Sequence, residues 1–265
     1  MTAYSTQPTI EFRDLVKRFG DRTVLKGLSL SISQGEIVFI LGTSGTGKSV
    51  LLKTLVGLLR ADGGQIRIDG QDVTQFSEEQ YLPVRRRCGM VFQHPALFDS
   101  STVLENVAYG LMKHERKSLP EASARARECL AMVGLTNDFG EDEIEALENK
   151  LPTQISYGMQ KRVSLARTIA VGPSILLFDE PTTGLDPVTT KQINLLIRDL
   201  SRKLNTTAVV VSHDMDCALE IADRIVVLDQ GNIVAQGSVG EILNSKQPLV
   251  VDFLEEAKAR GVEAR

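Results

Sequence analysis

The sequence predicts an α/β fold around a parallel sheet, because two apolar runs each end in a group of polar residues. The first run, Ile37–Leu41, leads into the stretch Gly42-Thr43-Ser44-Gly45-Thr46-Gly47-Lys48-Ser49. The second run, Ile175–Phe178, ends in Asp179-Glu180-Pro181. Continuous apolar runs of this length are typical of strands buried on both faces. Helix-forming segments alternate with such runs in the second half of the chain, which is the pattern of a parallel sheet covered by helices.

The glycine-rich stretch fits the pattern G-x-x-x-x-G-K-[ST], in which backbone N–H groups surround phosphates. In that pattern Lys48 reaches the β- and γ-phosphates, and the Ser49 hydroxyl binds Mg²⁺. A helix that begins at Lys48 would add its N-terminal N–H groups and its positive dipole end. The alternative is a turn that only joins a strand to a helix. Because motif and surroundings agree, the sequence favours a P-loop nucleoside triphosphatase with a RecA-like parallel core.

Two adjacent carboxylates, Asp179 and Glu180, end the second apolar run. Neighbouring side chains of a strand point to opposite faces, so the two acids are expected to do different jobs. We assign Asp179 to the Mg²⁺ shell and Glu180 to the attacking water. The alternative is a pair of solvated acids that open a loop before Pro181.

Composition narrows the class of protein. The chain has 265 residues, of which 42% are hydrophobic and 24% charged, and no run of eighteen apolar residues, so we expect it not to be a membrane protein itself. Its net charge of −4 argues against broad nucleic-acid binding. Cys88, Cys129 and Cys217 are odd in number and scattered, which indicates free thiols in a reducing compartment. The first residues lack the features of a secretory signal, so the expected compartment is the cytoplasm.

The chain divides into three predicted regions. An ATP-binding core of residues 8–93 and 161–238 would include antiparallel strands over 9–34 and a hairpin over 65–73 that turns at Asp69-Gly70. Residues 94–160 are rich in helix formers and read as a helical insertion, and residues 239–265 as a helical tail. Within the core we expect helices at 160–170, 188–203 and 215–222, and strands at 175–178, 207–211, 224–228 and 232–235.

Seven short pieces occur in an order that resembles the ATP-binding-cassette family over about residues 8 to 243. They are Phe19, the glycine loop, Gln93, Ile155-Ser156-Tyr157-Gly158-Met159-Gln160-Lys161-Arg162, Asp179-Glu180-Pro181, Gly184-Leu185-Asp186 and Ser212-His213-Asp214. The resemblance implies an ATPase that uses ATP and Mg²⁺, with an N-terminal antiparallel β subdomain and an inserted α-helical subdomain.

The resemblance also implies roles for single residues. Phe19 would stack on adenine, worth about 1–3 kcal/mol by analogy with base stacking, although a core phenylalanine is the alternative. Gln93 would touch Mg²⁺ or the attacking water, and His213 would donate a hydrogen bond to the γ-phosphate. The expected catalytic residues are then Lys48, Gln93, Glu180 and His213, the metal residues are Ser49, Gln93 and Asp179, and the ATP contacts are Phe19, Gly42, Thr43, Ser44, Gly45, Thr46, Gly47, Lys48, Ser49, Gln93, Asp179 and His213.

Half of each expected site lies in a second chain. By resemblance, Ser156, Gly158 and Met159 would cap the γ-phosphate of the ATP held by another copy, and Asp186 would line the contact in a homodimer. The family usually has glycine where this chain has Tyr157. A side chain there limits how closely backbone approaches phosphate, and because Ser156 and Gly158 are present we expect activity to be retained.

The resemblance further implies a motor subunit that docks on a separate integral membrane permease at the cytoplasmic face of the inner membrane. The segment 95–107, Met159 and the stretch 248–254 are similar to the Mla/Mkl branch, which serves lipid transporters that work with MCE-domain proteins at the bacterial envelope. An amino-acid or other small-molecule importer would share every catalytic residue and is the alternative. Other P-loop proteins fit the sequence less well. Cassette proteins of DNA repair would need long coiled coils, which this sequence lacks, and cassette proteins of translation would need two cassettes, whereas there is one glycine loop here. A P-loop kinase would not need Ser156 or His213.

Overall fold

The structure is a computed structural model that describes residues 8–136 and 140–259. Three residues of the predicted helical insertion, 137–139, and the last six residues of the predicted tail, 260–265, lie outside the described residues. The elements follow one another as β1 (Pro8–Phe19), β2 (Arg22–Ser33), β3 (Ile37–Leu41), α1 (Lys48–Leu55), β4 (Gly63–Ile68), β5 (Gln71–Asp72), α2 (Glu78–Arg87), β6 (Cys88–Val91), α3 (Val103–His114), α4 (Leu119–Met132), α5 (Glu141–Glu148), a 3-10 turn (Pro152–Gln154), α6 (Tyr157–Ala170), β7 (Ile175–Asp179), α7 (Pro187–Lys203), β8 (Thr207–Ser212), α8 (Met215–Ile221), β9 (Arg224–Asp229), β10 (Asn232–Gly237), α9 (Val239–Leu243) and α10 (Pro248–Ala259).

The main sheet confirms the predicted α/β class. Its strand order in the described residues is β10-β9-β3-β8-β7-β6, and all neighbours run parallel except β9 and β10. Every residue of β3, β7 and β8 is buried, as their apolar sequences require. Leu41 pairs with Ser212 and Asp179 with Val211, so the carboxyl ends of these three strands meet at one edge of the sheet.

A second sheet, of order β2-β1-β4-β5, is the predicted antiparallel subdomain. The hairpin between β4 and β5 turns at Asp69 and Gly70, both with positive φ, where the sequence placed it. One hydrophobic core lies between this sheet, α1 and one face of the main sheet. A second core joins the other face to α3, α4, α6, α7, α8 and α10. The parallel sheet is therefore covered on both faces, as predicted.

The helical region between β6 and β7 packs α3 against α4 and α6. Buried Asn106 ties its entry loop together, because its side-chain amide donates to the carbonyls of Phe98, Ser101 and Thr102. Helix α6 begins three residues earlier than predicted, since Ser156 caps it. The predicted boundary at residue 160 consequently lies inside α6, and the division into regions stays a prediction.

The described part of the tail packs on its own chain. Val250, Phe253, Leu254 and Ala257 of α10 are buried, and α10 lies against α8. Cys88, Cys129 and Cys217 are buried free thiols, as expected. Over 8–136 and 140–259, we find no helix with the length and hydropathy needed to cross a bilayer.

Candidate nucleotide-binding site

The glycine loop follows β3 and is shaped by three glycines. Gly45 and Gly47 have φ values of 80° and 108°, which side chains rarely adopt. A Cβ on Gly42 would lie 2.4 Å from the carbonyl oxygen of Leu228, so only glycine fits there without displacing backbone. Gly47 also precedes α1 without a capping side chain, which leaves the first N–H groups of the helix available to an anion.

Lys48 lies beneath this loop. Its ammonium group donates to the carbonyls of Gly42 at 2.7 Å and Thr43 at 3.0 Å, while the Thr46 hydroxyl donates to the Thr43 carbonyl at 2.9 Å. Lys48 is 6% exposed, and burial lowers its pKa while Glu180, 3.6 Å away, opposes the shift. The loop thus holds a largely desolvated cation at the place where the sequence predicts the β- and γ-phosphates.

Ser49 and Asp179 form the second element of the site. The Ser49 hydroxyl donates to Asp179 Oδ1 at 2.6 Å, across 130 residues of chain. Hydroxyl and carboxylate oxygens are ligands that Mg²⁺ prefers. Within the described part of the chain, no cluster of three or more His, Cys, Asp or Glu side chains could hold a metal alone. The Ser49–Asp179 pair supplies two oxygen ligands and leaves the other positions of an octahedral ion such as Mg²⁺ to phosphate and water.

Glu180 corrects one expectation from the sequence. Strand alternation predicted that its side chain would point away from that of Asp179. The strand ends at Asp179, however, and Glu180 takes a left-handed conformation with φ of 51°. Its carboxylate lies 2.9 Å from His213 Nδ1 and 3.6 Å from the Lys48 ammonium. Both acids consequently border the glycine loop, with different partners.

Phe19 and Gln93 enter the site from two other elements. Phe19 ends β1 and is 47% exposed, so the alternative of a core phenylalanine does not hold. The same hairpin contacts the loop, since a Cβ on Gly47 would lie 3.0 Å from Leu25 Cδ2. Gln93 is an exposed residue two positions after β6, and its backbone carbonyl accepts hydrogen bonds from Tyr157 and Lys161. The roles predicted for both side chains stay predictions.

Comparison with known proteins agrees with this geometry. A family model described as "ABC transporter" matches residues 25–183. The chain belongs to the ABC transporter family. The predicted enzyme class, an ATPase, is confirmed with the family.

Two curated relatives show how far the likeness extends. The chain is 42% identical over 252 residues to the methionine import ATP-binding protein MetN of Rhizobium johnstonii. The aligned residues make up 95% of this chain and 67% of MetN. It is 39% identical over 246 residues to the probable ribonucleotide transport ATP-binding protein mkl of Mycobacterium bovis, with 93% and 66% covered. The chain thus spans about two thirds of the length of the curated relatives it matches.

Two solved structures share the fold. One is cbiO1 of Clostridium perfringens, part of the ABC transporter complex cbiONQ, with a TM-score of 0.81, 28% identity, and 92% of this chain and 93% of that chain covered. The other is the cassette MJ0796, solved as a dimer in a post-hydrolysis state bound to ADP and Pi. It has a TM-score of 0.76, 33% identity, and coverage of 87% and 98%.

The signature segment, as we call residues 155–162 with the predicted capping residues Ser156, Gly158 and Met159, lies at the start of α6. Exposed Ser156 caps the helix, and its hydroxyl accepts from the Met159 N–H at 3.3 Å. A Cβ on Gly158 would lie 3.1 Å from the Thr189 methyl, so this glycine packs against the start of α7. Asp186 caps α7 through Val188 and Thr189, which lowers the pKa of its carboxyl. Its predicted contact with a second cassette stays a prediction.

Sequence reasoning missed Lys161. It is 3% exposed, donates to the Gln93 carbonyl, and has its ammonium 5.4 Å from the centre of the Tyr157 ring. Burial lowers its pKa to about 8. The available signal was spacing, because Lys161 follows Tyr157 by one helical turn within the segment that the sequence had already singled out.

Proposed function

We propose that this chain is the ATP-hydrolysing motor subunit of a membrane ABC transporter. One observation carries the proposal: Lys48, the Ser49–Asp179 pair and the Glu180–His213 pair converge at the carboxyl ends of β3, β7 and β8. Phosphoryl transfer depends on positioning and on charge stabilisation, and these residues supply a cation, metal ligands and a base in one place.

The contacts support the following division of labour. The loop N–H groups and Lys48 would bind the β- and γ-phosphates of ATP, and Ser49, Asp179 and Gln93 would hold Mg²⁺, which supplies positive charge to neutralise the phosphates. Glu180 orients the attacking water and accepts its proton, because its carboxylate is fixed by His213 at 2.9 Å and by Lys48. The exposed side chain of His213 would donate a hydrogen bond to the γ-phosphate. Phe19 stacks on the adenine.

Two cassettes complete the site in this proposal. Ser156, Gly158 and Met159 cap the γ-phosphate of the ATP in the partner, and Asp186 lies at the contact between them. The exposed N-terminus of α6 supports this, since it presents helix N–H groups to an anion. The dimeric structure of the similar cassette MJ0796 supports it as well.

Exposed apolar side chains between β6 and α4, two of which contact each other, support a permease as the second partner. Phe92, Phe98, Tyr109, Met112 and Leu119 are each at least 38% exposed, and the Phe98 and Tyr109 rings lie 4.7 Å apart. These residues follow β6 or lie on α3 and at the start of α4, around the segment that contains Gln93. Exposed apolar clusters of this kind mark interaction sites. Docking on a permease would place the chain at the cytoplasmic face of the inner membrane.

For the cargo, the relatives favour an amino-acid importer over a lipid transporter. Several curated relatives that are 38–42% identical to the chain are methionine import proteins. We therefore propose a small-molecule importer of the amino-acid type as the first candidate. The second candidate is the Mla/Mkl lipid branch, with an MCE-domain partner. It rests on the segment 95–107 and on the likeness to mkl, although mkl is itself named as a probable ribonucleotide transport protein.

The test is to extract the tagged chain from membranes in mild detergent at native expression and to identify its companions. A permease recovered with a solute-binding protein for amino acids would support the importer, and one recovered with an MCE-domain protein would support lipid transport. ATP turnover by the purified complex should be lost in Lys48→Ala, which removes the buried cation beneath the loop. Absence of both a permease and Lys48-dependent turnover would overturn the motor assignment.

A further inference from the structure

The carbonyl of Gln93 is held by two side chains from the first two turns of α6. The Lys161 ammonium and the Tyr157 hydroxyl both donate to it, the latter at 3.4 Å. The Tyr157 hydroxyl is also 3.4 Å from His94 Nδ1, so it can accept from that nitrogen while donating to Gln93. A single backbone oxygen thus joins the loop after β6 to the helix that carries the signature residues.

We infer that Tyr157 and Lys161 are positioning residues that fix the loop of Gln93 to the start of α6, and thereby set where the Gln93 amide meets the metal and the attacking water. The inference rests on the proposed ATP hydrolysis. It assigns a role to two residues outside the proposed nucleotide and metal contacts of this chain.

Lys161 makes the stronger of the two hydrogen bonds to the Gln93 carbonyl. A charged donor makes a hydrogen bond roughly twice as strong as a neutral one. The side chain is almost fully buried, and a buried ammonium that lost its acceptor would be left without compensation for its desolvation. Lys161 therefore favours conformations in which the Gln93 carbonyl stays in place. Glu180 acts on Lys161 electrostatically, raising its pKa against the effect of burial, so the lysine also lies within the field of the catalytic carboxylate.

Tyr157 makes the other hydrogen bond, and the contacts of its ring fix the direction of its side chain. Its ring faces the Lys161 ammonium at 5.4 Å, a cation–π distance that holds both side chains on the same face of α6. The other edge of the ring lies close to Gly184, where a Cβ would be 3.5 Å from Tyr157 Cε1. The tyrosine is therefore in contact with the Gln93 loop, with Lys161 and with the segment after β7. Its side chain turns along the chain's own surface toward these elements.

The test compares ATP turnover and ATP KM in four variants of the full-length chain, measured in the assembly that hydrolyses ATP. Lys161→Met keeps the length and removes the charge, and we expect kcat to fall about tenfold, the effect of losing one charge-assisted hydrogen bond, with KM for ATP changed less than about twofold. Lys161→Arg keeps the charge and should restore most of the rate. Tyr157→Phe removes only the hydroxyl and should lower kcat about threefold, and Tyr157→Gly should lower it further.

A double-mutant cycle separates positioning from general stability. If the pair acts through the Gln93 side chain, Lys161→Met should have little further effect on kcat in a Gln93→Ala background. Arg125→Met is the matched control, because Arg125 also donates to a backbone carbonyl, that of Ala170 at the other end of α6. We expect its turnover per folded molecule to equal that of the wild type.

Three outcomes would overturn the inference: an unchanged kcat in Lys161→Met, no rescue by arginine, or additive losses in the cycle. None of these depends on the cargo. Failure of the proposed function would be visible separately, because the wild-type chain would then show no Lys48-dependent turnover against which to compare the variants.

Discussion

Replacing Glu180 by glutamine tests the assignment of the general base. The exchange keeps the shape of the side chain and removes a charge that lies 2.9 Å from His213 Nδ1 and 3.6 Å from the Lys48 ammonium. A positioned base contributes about 10²- to 10⁴-fold to a rate, so we expect kcat for ATP to fall by that factor. Nucleotide binding should persist, because Glu180 is a carboxylate that competes with phosphate for Lys48.

The structure gives the sign of the change in affinity. At 3.6 Å and an effective dielectric of about 20, the Glu180–Lys48 attraction is on the order of 4 kcal/mol before desolvation is subtracted. A triphosphate must share that lysine with Glu180, so in Glu180→Gln the Kd for ATP should be equal to or lower than that of the wild type. Lys48→Ala should instead raise the Kd.

The assays are steady-state phosphate release at saturating Mg-ATP and titration with a fluorescent ATP analogue. Size-exclusion chromatography with ATP should show the variant as a dimer. In the proposed motor the two ATP-bound cassettes separate only after hydrolysis, and we expect this variant to hydrolyse ATP only very slowly. Glu148→Gln is the control for loss of a buried carboxylate, since Glu148 on α5 pairs with Arg127 rather than with the loop. Turnover near the wild-type rate in Glu180→Gln would remove Glu180 from its assigned role.

Three further predictions concern the loop, the buried lysine and the exposed ring. Gly42→Ala should lower the free energy of unfolding by about 1–3 kcal/mol and abolish ATP binding, because the added Cβ meets the Leu228 carbonyl. Thermal unfolding and nucleotide titration measure the two effects, and a melting temperature equal to that of the wild type would contradict the prediction. The pKa of Lys161 is about 8 when folded, below the ordinary lysine value of 10.5, so unfolding takes up a proton between these values. The free energy of unfolding of the wild type relative to Lys161→Met should accordingly rise with pH from about 8 to 10.5, with a slope of at most about 1.4 kcal/mol per pH unit in denaturant titrations, and a falling difference would refute this. Phe19→Ala should weaken ATP binding about 5- to 100-fold without changing the melting temperature of the nucleotide-free chain, and Phe19→Tyr should retain the wild-type affinity. Equal ATP affinities for the wild type and both variants would exclude stacking of Phe19 on the adenine.

The parts of the fold that could be predicted are those in which local pattern and burial agree. The apolar runs became β3 and β7, and the Asp69-Gly70 turn formed the hairpin, because strands and tight turns leave strong signals in short windows. The direction of the Glu180 side chain could not be predicted, since it depends on a left-handed residue just beyond the end of a strand. Alternation holds only while the strand continues.

Lys161 shows a second limit of sequence reasoning. A lysine next to an arginine on a helix is ordinarily a solvated residue, and its spacing from Tyr157 places the two on one face of α6 without indicating that this face is covered. Lys161 is nevertheless buried, and its ammonium donates to the Gln93 carbonyl in the loop after β6. The distance in sequence is 68 residues, so only the folded chain reveals the contact.

The segment around Gln93 has two surfaces that the proposed motor would have to use together. The Gln93 carbonyl is fixed to α6, while Phe92 and Phe98 on either side of it are exposed and the Phe98 ring packs at a tilt against Tyr109 of α3. A partner that displaced these aromatic residues would pull on the same short stretch of backbone that Lys161 holds. Loosening that hold, as in Lys161→Met, should therefore reduce the stimulation of turnover by a bound permease more than it reduces basal turnover, whereas an equal loss would confine Lys161 to the catalytic step.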